Sequence, residues 1–261
     1  ANLGMLPMPE IQYLAYFHNA CDQIRGEACS LQFFSNGQYR NPMVMRVASL
    51  GYQRGFGGHF HNDNSITALR DIPGLVGCPS RGDDAVTMLR SMMALAKVDG
   101  RVCAYLEPIA LYMTKDLHVA GDGLWQTSYP EPSAAMEIGS ERVYFPEHDD
   151  LLIFTFGNGV PMSLRAAREI EKTLLWKVRI VDLRWLQPLN QAAIARHAGQ
   201  CKRIIVVDEG RRSAGVGEGI ITAIVESGQG NKPMRRVVGA DTYTPLAGAA
   251  FAVIPADADI V

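Results

Sequence analysis

Residue types able to do chemistry are densest in the segment Gly51-Tyr52-Gln53-Arg54-Gly55-Phe56-Gly57-Gly58-His59-Phe60-His61-Asn62-Asp63-Asn64-Ser65. An imidazole exchanges protons near neutral pH, binds metals and hydrogen-bonds polar substrates. His59 and His61 are two apart, so in an extended loop they point the same way, as a pair of metal ligands would. No Asp, Glu or Cys completes an obvious ligand set, so no metal is expected and a polar substrate contact is the preferred reading. The glycines let backbone approach a ligand where a side chain would block it. A second dense segment is Pro9-Glu10-Ile11-Gln12-Tyr13-Leu14-Ala15-Tyr16-Phe17-His18, where a strand runs into a helix through a cluster of aromatics. A buried packing face accounts for such a cluster as well as a binding surface does.

Other glycine motifs invite a nucleotide-binding reading and fail it. Gly157-Asn158-Gly159 and Gly215-Val216-Gly217 each lie between a strand and a helix, but Met162 and Ile220 stand where the dinucleotide fingerprint needs a third small residue. Both are expected to be tight turns. Gly121-Asp122-Gly123 looks like the start of a magnesium and diphosphate motif, yet it has no preceding apolar strand and no Asn-Asn downstream, so it belongs with the linker. There is no nucleophile elbow, P-loop or zinc helix.

These residues need elements to hold them. Short apolar, β-branched runs alternate with segments of helical period, the pattern of parallel strands joined by crossover helices, so the fold class is α/β. Strands are expected at 8–12, 43–48, 75–78, 102–106, 151–156, 178–183, 203–207 and 236–238. Tyr13, Phe17, Ala20, Ile24 and Ala28 form one helical stripe, and Ala85, Leu89, Met92, Met93 and Ala96 another, with Asp83 or Asp84 placed to cap it. Further helices are expected at 162–174, 190–197 and 217–227. Periodicity disappears from Met113 to Asp150, which predicts two domains, 1–112 and 151–261, joined by a linker at 113–150.

Bulk properties narrow the partners. The 261 residues are 48% hydrophobic and carry a net charge of −2, with no basic field for nucleic acid or an anionic membrane. No apolar run approaches the roughly 20 residues of a membrane span. Five cysteines without Cys-x-x-Cys spacing suit a reducing, cytoplasmic compartment.

At this level of detail the chain resembles a family. Glu10-Ile11-Gln12 followed by an aromatic helix ending in Asp22-Gln23-Ile24 resembles the pyrimidine-binding domain of transketolase-like thiamine diphosphate enzymes. So do the Gly-rich loop ending in His61, Pro73-Gly74-Leu75, Pro79, and Leu106-Glu107-Pro108 with Leu111-Tyr112. In the second half the Leu151 to Gly159 strand and turn, Val181-Asp182-Leu183-Arg184 with Pro188-Leu189, and Val207-Asp208-Glu209 before Gly215-Val216-Gly217 look like that family's C-terminal domain. Within the family the likeness is greatest to the β-subunit, or the C-terminal half of a fused chain, of the decarboxylating component of 2-oxo acid dehydrogenase complexes.

The resemblance implies a partial pyrimidine-binding domain with a mainly parallel sheet, then a transketolase C-terminal-like α/β domain. It implies thiamine diphosphate with Mg²⁺, bound between this chain and an α-type diphosphate-binding domain or subunit in a dimer or heterotetramer, and acyl transfer to a lipoyl acyltransferase core. The substrate class would be pyruvate or a branched-chain 2-oxo acid. Tyr16 matches the aromatic that stacks on the cofactor, and His61 matches the histidine that contacts substrate and assists acyl transfer. Gly57, Gly58 and His59 would shape the pocket, with Glu10 in the cofactor-binding set. The family's cofactor-activating glutamate, which is not Glu10, is expected on a segment preceding Ala1, so the chain alone is expected neither to hold the cofactor tightly nor to catalyse. His61-Asn62-Asp63-Asn64-Ser65 replaces the more usual His-Ser-Gln-Ser, a change that bears on substrate preference. A structural K⁺ would fall at the stretch holding Ala96 and Asp99. A transketolase-like or acetoin-cleaving relative, and a non-catalytic assembly subunit, are the competing readings.

Overall fold

Prolines decide where the first sheet begins. In the computed structural model, which describes residues 1–51, 57–72 and 74–261, strand β1 is confined to Glu10–Ile11, shorter than the expected 8–12. Pro7 and Pro9 have no N–H to donate, and contribute only carbonyls that accept from Val44 (3.2 Å) and Arg46 (2.9 Å) of β2, Met43–Ser49. With β3 (Leu75–Gly77) and β4 (Val102–Pro108) they form a parallel set in the order β1-β2-β4-β3.

Four helices serve this sheet. Between β1 and β2 lie α1 (Phe17–Asp22), which runs into a π-helical turn at Gln23–Ala28, and the short α2 (Leu31–Phe34). Phe17, Ile24 and Ala28 of the expected stripe are buried. After the candidate loop comes α3 (Thr67–Arg70), and α4 (Gly82–Asp99) crosses from β3 to β4. In α4 the buried face differs from the expected one: Met88, Ser91, Met92 and Ala96 face the sheet, whereas Met93 is exposed. Gly77 explains the choice, because its missing Cβ would stand 2.5 Å from Met88 Sδ and 2.6 Å from Met92 Cε. The helix therefore lies tightly on β3 along the line of those two methionines.

The second sheet comprises β5 (Arg142–Tyr144), β6 (Leu151–Thr155), β7 (Val178–Asp182), β9 (Ile204–Arg211) and β10 (Met234–Gly239). The strand between β7 and β9 in sequence, β8 (Trp185–Gln187), leaves this sheet and pairs antiparallel with β3 of the first. The order is β10-β9-β6-β7-β5, parallel except for β5. β6 and β7 are buried at every position, as strands covered on both faces must be. Helices α5 (Gly159–Leu174), α6 (Gln191–Gln200) and α7 (Val216–Ile224) provide that cover. The strand order reverses between β6 and β9, and their carboxyl ends face the first half.

The two halves share one apolar interior. Phe17, Met45 and Leu106 belong to the same buried cluster as Leu152, Phe154 and Ile204. The 113–150 segment, expected as a linker, is built into this body: Trp125 and Met136 are buried, and Arg142–Tyr144 is the antiparallel edge strand β5. Periodicity alone conceals such a segment because isolated anchors, not a repeating stripe, hold it. Asp84 also departs from its expected role as a helix cap. Its side chain is 3% exposed and lies 2.8 Å from Arg184 and 2.9 Å from Arg142, both in the second half, while Arg81 occupies the N-cap without a side-chain cap bond.

Candidate functional site

His61 closes a 3₁₀ turn at Gly58–Phe60 and is half-buried. Its Nδ1 lies 3.2 Å from the Gly57 carbonyl and its Nε2 lies 3.4 Å from Tyr16 Oη. Those partners assign the tautomer: Nδ1–H donates to the carbonyl, and Nε2 accepts from the phenol. The Tyr13 ring meets the imidazole edge-on at 4.9 Å, so the aromatic cluster before α1 holds the histidine from one side. Glycine is required beneath it, since a Cβ at Gly57 would stand 2.3 Å from Nδ1. Gly58 has φ +68°, in the left-handed region, and a Cβ there would also press on Leu246 at 3.0 Å. Residues 52–56 of the loop, and Pro73 of the Pro73-Gly74-Leu75 match, lie outside the described residues.

Tyr16 lines a cleft of about 920 Å³ whose far wall comes from the second half. His59, Asp63, Arg211, Asp241 and Tyr243 line it too. His59 packs between Phe60 (4.1 Å) and Tyr243 (4.9 Å between ring centres). Arg211 lies 3.4 Å from Asp63, and Asp241 accepts from the Ser213 amide at 2.8 Å. Backbone at the loop's entry is held from the same direction: Leu50 takes a left-handed φ of +52°, and its carbonyl accepts from Asn158 Nδ2 at 2.6 Å. Such strain in a bulky residue persists only where surroundings enforce it.

The structure thus brings Tyr16, Gly57 and His61 into contact and sets His59 on the same cleft, with Gly58 beneath. Glu10 stands elsewhere, in a row of charges where Arg46 lies 3.2 Å from it and 2.6 Å from Glu107. Tyr112 donates to Glu107 at 2.6 Å, and burial with that bond pushes its phenol above the ordinary range. Gly157-Asn158 is the expected turn, whereas Gly215 is the extended N-cap of α7 and Val216-Gly217 its first residues. Gly157 has φ +54°, and the amide of Gly217, in the first turn of α7, is already engaged by Asp208 at 2.8 Å, which also accepts from Gly210 of β9 at 2.8 Å. The contribution of Arg211, Asp241 and Tyr243 was not visible in the sequence, where they are ordinary surface residue types 150 or more positions from His61. Among the described residues no group of three or more His, Cys, Asp or Glu side chains could hold a metal, and no helix is long and apolar enough to cross a membrane.

Residues 143–259 match the family described as transketolase, C-terminal domain. The pyruvate dehydrogenase E1 component subunit beta of Staphylococcus aureus is 30% identical over 266 residues, covering 99% of this chain and 75% of that protein. Its counterpart in Staphylococcus epidermidis is 29% identical with the same coverage. Among solved structures, a split-gene transketolase described as an inactive β4 tetramer superposes with a TM-score of 0.72 over 99% of this chain and 74% of its own. At 17% identity that likeness concerns the fold.

Proposed function

This chain belongs to the family of pyruvate dehydrogenase E1 component β-subunits, and on that premise we propose that it is the β-like part of a thiamine diphosphate-dependent 2-oxo acid dehydrogenase with His61 as its acid–base group. The observation that carries the reading is the contact of His61 Nε2 with Tyr16 Oη beside a cleft walled by both halves.

The residues present fit one side of the cofactor. Tyr16 offers an aromatic face to the cleft, and the backbone at Gly57 and Gly58 lies where a Cβ would strike His61 or Leu246. They do not offer a diphosphate cradle, since the amide of Gly217 at the start of α7 is held by Asp208. The diphosphate and Mg²⁺ are therefore assigned to an α-type partner, in a dimer or heterotetramer, and the acyl acceptor to a lipoyl-bearing core. The Ala96 and Asp99 stretch stays the proposed place for a structural K⁺, and five free cysteines support a reducing, cytoplasmic location. When bound, thiamine diphosphate supplies the nucleophile and the electron sink for decarboxylation. With Nδ1–H held by the Gly57 carbonyl, His61 can take a proton at Nε2 and return it, as acyl transfer to a thiol acceptor requires. Tyr13 and Tyr16 orient the ring and restrict water on that side.

The test combines this chain with an α-type partner, Mg²⁺ and thiamine diphosphate, and follows decarboxylation of pyruvate and branched-chain 2-oxo acids together with acyl transfer to lipoamide. Both reactions are expected in the wild type. His61→Ala should lose acyl transfer by at least about 100-fold, within the range general acid–base groups contribute. Full transfer activity in that variant would refute the role.

A further inference from the structure

Arg211 ends β9 in the second half, yet its guanidinium is committed to the segment just after His61. Its Nε donates to the Thr242 carbonyl at 3.1 Å, one terminal nitrogen donates to Ser65 Oγ, and the other lies 3.4 Å from Asp63 Oδ1. The same Asp63 oxygen accepts from the Ser65 amide (2.9 Å) and the Ser65 hydroxyl (2.5 Å). A planar fork of fixed donors is therefore matched to acceptors on two segments far apart in sequence. The Asp63 side chain is 14% exposed, so this pair is shielded from water more than an ordinary surface pair.

Neighbouring ties run the same way. Thr244 Oγ1 donates to the Asn62 carbonyl at 2.9 Å, and Asn64 Nδ2 donates to the Glu209 carbonyl at 3.4 Å. By contrast, among the described residues the first half hydrogen-bonds the imidazole itself through one carbonyl and one phenol, at 3.2 and 3.4 Å. Among the described residues lining the cleft, Arg211 is the one lysine or arginine. Each of its three nitrogens already faces an acceptor and Asp63 offsets its charge, so its first commitment is to the loop rather than to a substrate carboxylate.

We propose that Arg211 is a positioning residue for His61: by fixing Asp63 and Ser65 it sets where the imidazole stands against Tyr16. This rests on His61 serving in acyl transfer, and one half of the chain then registers the acid–base group carried by the other.

Side-chain NMR of the histidine-labelled chain reads the positioning without cofactor or turnover. The chain has six histidines, and the Cε1 signal of His61 is identified by its loss in His61→Gln. Arg211→Met is expected to shift and broaden that signal while leaving His197, buried beside Glu141 in the second half, unchanged. Asp63→Asn should reproduce the effect, and adding it to Arg211→Met should bring little more, because both remove the same tie. Should Arg211→Met fail to fold, Arg211→Lys carries the test, since it keeps a cation facing Asp63 but loses the fork. A His61 signal identical to wild type in the folded variants overturns the proposal. In the assembled enzyme Arg211→Met should lower kcat for transfer to lipoamide roughly 10- to 100-fold, with KM for the 2-oxo acid little changed. Unchanged kcat also overturns it. A wild-type assembly without decarboxylation would instead overturn the catalytic reading, and the NMR comparison then decides the positioning alone.

Discussion

An alanine at position 57 would place its methyl carbon 2.3 Å from His61 Nδ1, well inside contact distance. Gly57→Ala is expected to turn the imidazole away from Tyr16 and lower acyl transfer by about tenfold or more, since small misplacements of catalytic groups cost rate steeply. Steady-state assay of transfer to lipoamide beside a thermal melt separates this from unfolding, because the melting temperature should change little. A second residue offers a pH test. Asp182 is fully buried, and burial above all, with the nearby Asp84 charge, pushes its carboxyl up to about 7. Between roughly pH 4 and 7 the folded chain holds a proton that the unfolded chain releases, so this group makes stability fall as pH rises, and no further above 7. Asp182→Asn should therefore match wild type near pH 4 and exceed it above pH 7 by on the order of a few kcal/mol in urea unfolding. An equal loss of stability at both pH values would refute this account. At this scale, residue type marks the glycine- and histidine-rich loop and the aromatic segment, and the family resemblance singles out Tyr16 and His61 within them, whereas neither points to Arg211. Next to Arg212 at a strand end it looks like any solvated charge, and its role appears only when position 65 is brought beside it.

Among the elements, the β6 to α5 junction is the tightest. A Cβ at Gly159 would lie 2.0 Å from Thr155 Oγ1 and 3.4 Å from Val207 Cγ1, both on buried side chains. Gly159→Ala should destabilise the chain by about 1–3 kcal/mol, the usual penalty for overpacking, visible as a lower midpoint in urea. A neutral result would mean that the turn yields more readily than its packing implies. The strands and long helices of both sheets follow closely from apolar runs and helical period. Departures occur where a neighbour overrides local preference. β1 is cut short by prolines, and α4 turns Met88 rather than Met93 inward because Gly77 leaves room there. The short 3₁₀ and π turns around His61 and Gln23–Ala28 have no periodic signature long enough to be legible.

Across the whole molecule, the halves are locked by charge as well as by shared core. Asp84 faces Arg142 and Arg184 with its side chain 3% exposed, so removing it strands cations at the junction. Asp84→Ala is expected to cost about 3–5 kcal/mol and to open the 113–150 segment to limited proteolysis before global unfolding. Loss of stability without earlier cleavage would argue that the pair does not hold that segment. The two α/β units and their order were legible from the alternation of strands and helices. Their interlocking was not, because it depends on pairings between residues some 100 positions apart, such as Asp84 with Arg184.

That interlocking reaches into the backbone at β8, where Trp185–Gln187 covers the β3 edge of the first sheet. During synthesis β3 emerges about 100 residues before the strand that covers its edge, on the order of 5–20 s at ordinary elongation rates. Throughout that interval the first sheet exposes an unpaired, apolar edge able to capture strands of other nascent chains. Protection by a chaperone, or slow temperature-sensitive expression, is the expected cost of building one unit's last strand into the next.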